Sequence, residues 1–222
     1  MLVKDRMSKP PITVRETVGV EDALRLMHNE DVRRLPVIDK QGKMVGIVSE
    51  LDLLKVSPSP ATSLSVYEIP YLLAKVKMTD VMTKDVVTVE EDTPLEEAAR
   101  IMADNKIGGL PVMRNGKVVG MITETDLFKT FLEMLGGREE GVRVSMFVPD
   151  EEGMLAKITG KISEMGINIT ALSTIMGGDP SEYLVTIRVE EDADEGALVE
   201  ALTAMGLTLE DSRFCKLPGC SE

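Results

Sequence analysis

The sequence predicts an α+β protein assembled from three small units. The first observation is an internal repeat, in which segments of residues 1–57 return in residues 78–136. The second is that the hydrophobic pattern of each repeat indicates the order β-α-β-β-α. The third is a change of pattern after Gly136-Gly137, where the order becomes β-α-β-β-α-β. We therefore expect two copies of one fold followed by a different domain.

The repeat keeps a firm register along the chain. Thr13 returns as Thr88 and Pro36 returns as Pro111, in both cases 75 residues later. After a one-residue deletion, the segment 46–52 returns 74 residues later as 120–126. Two copies of one fold that face each other place equivalent residues on either side of a shared cleft. The duplication therefore favours a symmetric binding site over a catalytic one.

Each repeat has apolar residues at the spacing of two helices and three strands. In the first repeat the pattern predicts a short strand at 12–14, a helix, a strand pair across the turn 39–43, and a second helix from Glu50. The first-helix stripes are Val20, Ala23, Leu24 and Met27 in one repeat and Leu95, Ala98, Ala99 and Met102 in the other. One such unit buries too little apolar surface to be stable alone, so we expect the two to pack as a pseudo-symmetric pair.

A proline- and serine-rich stretch separates the repeats. Residues 57–63 have the sequence Ser-Pro-Ser-Pro-Ala-Thr-Ser, which cannot be helical, and the apolar segment 66–76 follows. One interpretation is a linker with a short covering helix over 58–77. Its length of about twenty residues is more than a connection needs, so a lid or binding element is the alternative.

The last unit has the pattern of a ferredoxin-like domain. The pattern predicts strands at 143–148, 167–172 and 183–189, helices at 154–165 and around 198–202, and a last strand from Leu207. The resulting order is the β-α-β-β-α-β arrangement of ferredoxin-like folds. Because such an open sheet leaves edges unpaired, we expect it to associate with another copy.

Composition excludes several classes of protein. The chain is 43% hydrophobic and 28% charged, as expected of a globular protein, and no apolar run approaches the roughly 18 to 20 residues that cross a bilayer. The start of the chain lacks the apolar stretch of a secretion signal, which predicts a cytoplasmic protein with no membrane partner. The net charge is −13, and residues 138–222 carry 17 Asp and Glu against 7 Lys and Arg, so nucleic acid is an unfavourable partner.

The sequence gives little reason to predict a metal centre or catalysis. Cys215 and Cys220 could supply two thiolates, but a closed structural zinc site normally needs four ligands, and the only histidine is His28. No nucleophile with a neighbouring base is evident, so we expect no metal and no enzyme activity. The acidic run 90–92 is the candidate for a metal-dependent hydrolase, but the helix dipole explains acids at a helix start.

Two aspartates occupy equivalent positions at the start of a helix in each repeat. Asp52 follows Ser49 by three residues, and Asp126 follows Thr123 by three. One interpretation is an N-cap or an acid in the first turn, which the helix dipole favours. The other is a ribose site, because a carboxylate accepts bonds from ribose hydroxyls and a hydroxyl can donate to phosphate. The recurrence of the hydroxyl favours the second interpretation.

Arg33 and Arg34 precede the strand that begins at Leu35. They are either a solvated strand edge or a phosphate site, since guanidinium groups match phosphate oxygens bidentately. The equivalent positions of the second repeat are Gly108 and Gly109. The sequence therefore predicts two clefts of different charge.

These features resemble known modules. The duplicated unit, with its glycine-to-aspartate segments 46–52 and 120–126, resembles the cystathionine-β-synthase (CBS) domain, and the last unit resembles the ACT domain. The order CBS, CBS, ACT is similar to that of the AcuB-like proteins of acetoin utilisation. The resemblance divides the chain into repeats at 1–57 and 78–136, linkers at 58–77 and 137–141, an ACT domain at 142–214 and a tail at 215–222.

The resemblance to CBS pairs implies a site for AMP, ADP or ATP, with S-adenosylmethionine as a further candidate. The aspartates would hold ribose, the hydroxyls would contact ribose or phosphate, the short first strands would contact adenine, and the arginines would bind phosphate. The residues implied are Thr13, Val14, Arg33, Arg34, Ser49, Asp52, Thr88, Val89, Thr123 and Asp126. Gly108 and Gly109 depart from the pattern and leave one cleft without a basic pair.

The resemblance to ACT domains implies an amino-acid site at a dimer interface. Segments 150–155 and 166–169 match the family's first loop and its second-strand entry, and the residues implied are Asp150, Gly153, Met154, Leu155, Asn168 and Ile169. Gly153 would let a ligand carboxylate approach backbone amides at a helix N-terminus. The alternative is a plain helix start, with Asp150 as its N-cap and Asn168 in a turn.

Together these expectations describe a non-catalytic regulatory sensor that forms a homodimer or higher homo-oligomer. It would bind an adenosine nucleotide in the CBS pair and an amino acid at the ACT domain. The alternative is a scaffold or regulatory subunit of a partner enzyme, in which a bound nucleotide only stabilises the fold. A sensor must discriminate among adenosine ligands, whereas a scaffold need not.

Overall fold

The computed structural model describes residues 1–56 and 76–216. The expected linker with its covering helix lies outside these residues except for its last two positions, and so does Cys220. The chain forms two compact units, Met1–Phe128 and Lys129–Glu222. None of the helices in the described ranges has the length and hydropathy to span a membrane.

The first repeat forms a three-stranded sheet with two helices. After a 3-10 turn at Val3–Asp5, its elements are β1 (Val14–Arg15), α1 (Val20–Asn29), β2 (Arg34–Ile38), β3 (Met44–Ser49) and α2 (Glu50–Val56). Strand β1 is parallel to β2, and β2 is antiparallel to β3. The predicted β-α-β-β-α order is confirmed.

The second repeat has the same order and register. Its elements are α3 (Met78–Val81), β4 (Val89–Glu90), α4 (Leu95–Asn105), β5 (Gly109–Arg114), β6 (Lys117–Thr123) and α5 (Glu124–Met134). Val89 pairs with Val112 as Val14 pairs with Val37. The predicted stripes of α1 and α4 pack into two separate cores, one in each repeat.

Each repeat receives the segment that precedes the other repeat's first strand. Met7 is buried in the core of the second repeat, and Met78 is buried in the core of the first. Two equivalent pairs of backbone hydrogen bonds hold the exchanged segments, Ser8 with Met121 at 2.8 and 3.1 Å, and Thr83 with Ile47 at 2.9 Å in both directions. The two repeats therefore form the expected pseudo-symmetric pair, and neither core is complete without the other repeat's segment.

The second unit is a four-stranded antiparallel sheet packed against two helices. Its elements are β7 (Gly141–Pro149), α6 (Met154–Glu164), β8 (Ile169–Met176), β9 (Glu182–Val189), α7 (Glu195–Thr203) and β10 (Thr208–Cys215). The strand order is β10-β7-β9-β8, so β8 and β10 are the edges. Ile158 and Leu198 bring the two helices into one core with Val144 and Ile187 of the sheet. The predicted ferredoxin-like β-α-β-β-α-β order is confirmed.

Candidate functional site

A hydroxyl and a carboxylate together begin helix α2. Ser49 is the last residue of β3, and its Oγ donates to Asp52 Oδ2 at 2.6 Å, while the Ser49 backbone N–H donates to the same oxygen at 3.0 Å. In return, the Asp52 backbone N–H donates to Ser49 Oγ at 3.3 Å. This reciprocal arrangement is a capping box, which satisfies N–H groups that helix geometry leaves without partners.

The same arrangement recurs at the start of α5. Thr123 Oγ1 donates to Asp126 Oδ2 at 2.6 Å, and the Thr123 backbone N–H donates to that oxygen at 2.9 Å. The three-residue spacing of hydroxyl and aspartate therefore has a structural cause in both repeats. Because a cap needs the hydroxyl whether or not a ligand binds, its recurrence alone does not favour a ribose site.

A cavity of about 260 Å³ in the first unit adjoins one of these caps. Ser49 and Asp52 line it from the first repeat, together with Arg34 and Ile47. The second repeat contributes the rest of the wall, which consists of Thr83, Asp85, Val86, Val87, Lys106, Ile107, Gly108 and Gly109. This cavity, which we call the Asp52 cleft, combines apolar surface with carboxylate, hydroxyl and cationic groups, as small-molecule sites do.

Two local features position the segments of the second repeat that form part of the cleft wall. The backbone pairing of Thr83 with Ile47 fixes Thr83 beside β3, so the residues up to Val87 follow the cleft. Lys106 ends α4 in the left-handed conformation, with φ +54° and ψ +44°. The chain therefore leaves the helix at Lys106 and continues along the cleft into β5.

Arg34 reaches the second repeat across the cleft. A Cβ placed on Gly108 would lie 2.5 Å from Arg34 Nη2, and a Cβ placed on Gly109 would lie 3.6 Å from Arg34 Cδ. The Arg34 guanidinium group therefore occupies space that a side chain at Gly108 would need, whereas its contact with Gly109 is an ordinary van der Waals distance. Glu124 Oε2 occupies the same space, 2.7 Å from the Gly108 position, so the guanidinium group lies beside an acid at the start of α5.

The structure brings only some of the sequence-predicted residues to this cleft. Arg34, Ser49 and Asp52 line it, whereas Thr13, Val14, Arg33, Thr88, Val89, Thr123 and Asp126 are not among the described residues that do. Val14 and Val89 are 3% and 5% exposed because their side chains belong to the two cores. Thr123 and Asp126 stand at the pseudo-symmetric position of the other repeat.

Most of the wall from the second repeat is not indicated by the sequence patterns. Nothing near Lys106 in the sequence distinguishes it from any exposed lysine at a helix end. The repeat does give one indication for Thr83, which follows Met82 as Ser8 follows Met7. The periodicity of the sequence assigns these segments to neither sheet, so their exchange between repeats is not predicted.

One acid of the run at 90–92 forms an ion pair with a neighbouring strand. Glu91 Oε1 forms an ion pair with Arg114 Nε at 2.6 Å. In residues 1–56 and 76–216, no group of three or more His, Cys, Asp and Glu side chains is placed to hold a metal ion. Cys215 is a partly buried free thiol at the end of β10.

A second cavity, of about 330 Å³, lies in the second unit beside the first turn of α6. Four of the predicted amino-acid-binding residues line it, namely Asp150, Gly153, Met154 and Leu155. The remaining lining residues are Val148, Pro149, Glu151, Ala156, Thr174, Tyr183 and Val185. The cavity is therefore mainly apolar, with two carboxylates in its wall.

The helix beside this cavity begins at a glycine. Gly153 is the N-cap of α6, with φ +83° and no side-chain cap, and a Cβ at this position would meet nothing within 4 Å. The alternative in which Asp150 is the N-cap is wrong, because the Asp150 backbone N–H donates to Ser181 O at 2.8 Å, outside the helix. First-turn amides have no acceptor within their helix, so this open space favours an anionic group.

Asn168 and Ile169 do not lie at this cavity within one chain. The Asn168 backbone N–H donates to Glu190 Oε1 at 3.0 Å, and Ile169 begins β8. Thr174 is the residue of β8 that lines the cavity, five positions further along the strand, which corresponds to about 16 Å. Residues of the predicted amino-acid site are thus divided between two places.

Two family models match this architecture. The CBS domain model matches residues 3–59 and 78–133, and the ACT domain model matches residues 142–206. The chain belongs to the CBS-domain family. Its C-terminal module is an ACT domain, so both resemblances drawn from the sequence are confirmed.

Relatives of the CBS pair occur alone and joined to other domains. A CBS domain-containing protein of Dictyostelium discoideum is 32% identical over 136 residues, which cover 61% of this chain and 94% of that protein. An L-aspartate semialdehyde sulfurtransferase of Methanocaldococcus jannaschii is 33% identical over 133 residues, 59% of this chain but only 23% of the enzyme. The enzyme's name therefore describes a protein that is mostly unmatched here.

Solved structures support the same assignment. The CBS domain pair of protein MJ0100, crystallised with 5′-methylthioadenosine and S-adenosyl-L-methionine, matches with a TM-score of 0.50 and 31% identity, and covers 63% of this chain and 98% of that one. A putative acetoin utilization protein (AcuB) from Vibrio cholerae matches with a TM-score of 0.50 and 32% identity, and the match covers 60% of this chain and 90% of that one. The similarity to AcuB that the sequence indicates is confirmed.

Proposed function

We propose that the protein is a non-catalytic regulatory sensor whose CBS pair binds an adenosine compound in the Asp52 cleft. The observation that carries the proposal is the cleft itself, which both repeats build and in which an orientated carboxylate faces apolar and cationic groups. The adenosine ligands of the MJ0100 pair support the choice of ligand class.

Each part of an adenosine nucleotide has a matching surface in this cleft. The cap of α2 uses Asp52 Oδ2, and Oδ1 is the oxygen that would accept from a ribose hydroxyl. The apolar lining residues Ile47, Val87 and Ile107 are suited to the adenine ring. Arg34 and Lys106 are suited to phosphate oxygens.

Calorimetry of the full chain against adenosine, AMP, ADP, ATP and S-adenosylmethionine tests the proposal. Asp52→Asn should weaken binding by about 1.5 to 3 kcal/mol, the usual cost of losing a hydrogen bond to a charged group. Asp126→Asn is the matched control, because it removes the same charge from an equivalent cap that does not line the cleft. Equal losses from the two variants, or no binding of any adenosine compound, would contradict the proposal.

Selectivity separates a sensor from a scaffold. A regulatory subunit whose nucleotide only stabilises the fold can bind AMP, ADP and ATP with similar affinity, whereas a sensor must respond to their ratio. We expect affinities for the three nucleotides to differ by at least about tenfold, or 1.4 kcal/mol. Indistinguishable affinities would favour the scaffold.

We propose a second ligand site in the ACT domain, for an amino acid with an apolar side chain. Its carboxylate would lie at the open N-terminus of α6, its ammonium group near Asp150, and its side chain on the apolar wall. Ala156→Leu should fill the cavity beside the first turn without altering the left-handed backbone at Gly153 and abolish binding, as calorimetry against apolar and polar amino acids would detect. Gly160→Ala, in open space within the same helix, is the control.

A further inference from the structure

Every residue that lines the Asp52 cleft has an equivalent position in the other repeat, by the register of 75 and 74 residues. The backbone pairing of Thr83 with Ile47 on one side corresponds to the pairing of Ser8 with Met121 on the other. The repeat register and this shared pairing therefore predict a second cleft beside Thr123 and Asp126, which we call the Asp126 cleft, built from the same backbone positions with different side chains.

One difference reverses a charge at a single backbone position. Lys106 is the C-cap of α4, and Asp31 directly follows the C-cap of α1; both have a positive φ, of +54° and +51°. The residue after each donates its N–H to a methionine carbonyl of that helix, Ile107 to Met102 at 3.0 Å and Val32 to Met27 at 2.9 Å. The two helix ends therefore match, and the position that brings an ammonium group to one cleft brings a carboxylate to the other.

The position of the Arg34 side chain strengthens this asymmetry between the two clefts. Arg34 extends over Gly108 into the Asp52 cleft, whereas its equivalent in the Asp126 cleft is Gly109, which has no side chain. The Asp126 cleft does gain Arg33 at the position of Gly108.

The backbone and the total charge differ as well. Pro10 and Pro11 stand in the Asp126 cleft where Asp85 and Val86 stand in the Asp52 cleft, so two backbone N–H donors are lost along with one acid. The Asp52 cleft is thus lined by two cations and two acids, and the nearby Glu124 has its equivalent in Glu50, so it does not distinguish the clefts. By the register, Arg33 and Arg34 stand in the Asp126 cleft at the positions of Gly108 and Gly109, but the side chain of Arg34 extends into the Asp52 cleft. The Asp126 cleft therefore keeps one cation against Asp31 and Asp126, and its net charge opposes a phosphate group.

We infer that the CBS pair binds one phosphorylated adenosine ligand per chain, in the Asp52 cleft, and that Lys106 and Asp31 determine this choice. Lys106 and Arg34 approach the cleft from different repeats, so a phosphate between them is contacted by a cation of each. Asp31 repels the same group in the Asp126 cleft. This inference rests on the proposed function and specifies its ligand class and its cleft.

Calorimetry of the full chain with AMP and with adenosine tests the inference. AMP should bind with a stoichiometry of one. Lys106→Asn should weaken AMP binding by roughly tenfold to a hundredfold, the range for a lost charge-assisted hydrogen bond, and adenosine binding by less than about threefold. Asp31→Asn removes the acid that repels phosphate from the Asp126 cleft, so it should leave AMP affinity in the Asp52 cleft unchanged and let a second AMP bind more weakly. Lys106→Arg keeps the positive charge and is the matched control, which should change AMP affinity little. Asparagine tolerates the left-handed conformation, so both helix ends keep their backbone.

The outcomes separate this inference from the proposed function. A stoichiometry of two in the wild-type protein, an Asp31→Asn variant that binds no second AMP, or equal losses of AMP and adenosine affinity in Lys106→Asn would overturn the inference while leaving an adenosine sensor in place. If the full chain binds none of these compounds, the proposed function fails and the inference fails with it.

Discussion

The side-chain hydroxyl of Ser49 lies 2.6 Å from the carboxylate of Asp52, and this contact both caps α2 and fixes an acid in the wall of the cleft. Thr123 and Asp126 make the same contact at 2.6 Å without lining that cleft. The two repeats thus contain two copies of one cap, of which one lines the Asp52 cleft. Stability and binding can be separated by comparing them.

We expect Ser49→Ala and Thr123→Ala to lower the free energy of unfolding by about 1 kcal/mol each, because each removes an N-cap acceptor. Only Ser49→Ala should also weaken AMP binding, since it frees the Asp52 carboxylate to turn. Urea unfolding and calorimetry measure the two effects. Thr125→Ala, which removes an exposed hydroxyl within the first turn of α5, is the control and should change neither. Equal effects of Ser49→Ala and Thr123→Ala on binding would contradict the assignment of the cleft.

The exchange of segments between repeats depends on two glycines. A Cβ on Gly46 would lie 2.9 Å from Thr83 O, and a Cβ on Gly120 would lie 2.8 Å from Ser8 O. We expect Gly46→Ala and Gly120→Ala to lower the free energy of unfolding by about 1 to 3 kcal/mol, the cost of overpacking. Gly160→Ala, in open space within α6, should not lower it. Urea unfolding of the full chain measures this, and unchanged stability in both variants would show that the segments do not pack as described.

The local elements of this fold follow from sequence, whereas the contacts between segments distant in sequence do not. The stripes of Val20 and Met27, and of Leu95 and Met102, predict α1 and α4 because apolar residues at helical spacing must face a core. The destination of Met7 is different, since nothing in its own segment records that its core belongs to the other repeat. Periodicity describes which face is buried and not which partner buries it.

The residues of the candidate site likewise include some that the sequence indicates and others that only the folded structure brings to the cleft. Ser49, Asp52 and Arg34 are recognisable because they belong to a repeated or charged pattern within one repeat. Lys106 belongs to the same cleft only because the pseudo-two-fold arrangement brings the end of α4 to the first repeat. The opposite case is a repeated pattern that does not mark the cleft. Thr13-Val14 and Thr88-Val89 recur in both repeats, but β-branched residues are also what the two sheets need for their cores.

Arg33 and Arg34 are adjacent in sequence but differ in position. Arg34 lines the Asp52 cleft, and Arg33 does not. We expect Arg34→Gln to reduce affinity most for ATP, less for AMP and least for adenosine, because each added phosphate loses a charge-assisted contact. Arg33→Gln is the matched control and should change these affinities little. Calorimetry decides, and an equal loss for adenosine and ATP in Arg34→Gln would mean that the arginine is structural.

The edge strand β8 predicts self-association. Ile175 and Met176 are 65% and 66% exposed at its end, and an unpaired strand edge with apolar side chains is a surface that a second copy can cover. We expect the full chain to sediment as a dimer or higher oligomer, and Ile175→Lys to shift it toward monomer. Ser163→Lys adds the same charge to an exposed position of α6 and should leave the assembly unchanged. A monomeric wild-type protein at high concentration would remove this interface.

The other edge strand, β10, carries an ion-pair network of which one pair joins it to β7. Arg143 Nη1 of β7 lies 2.8 Å from Asp211 Oδ2 of β10, and Arg213 also binds this carboxylate. The hydrogen bond from Arg213, with a smaller contribution from Arg143, lowers the pKa of Asp211. A carboxyl group whose pKa is lower in the folded state stabilises the fold above its unfolded pKa, and the stabilisation is lost as the pH falls through the folded pKa.

We therefore expect β10 to separate from β7 more readily as the pH falls below about 4, the ordinary pKa of an aspartate. Hydrogen exchange of β10 amides, normalised to intrinsic rates between roughly pH 6 and pH 3, measures this opening. In Asp211→Asn the exchange should already be faster at pH 6 and should change less with pH, because the titrating group is gone. Glu210→Gln removes a neighbouring exposed acid and should keep the wild-type profile. If Asp211→Asn followed the same pH profile as the wild type, the ion pair would contribute nothing to the attachment of β10.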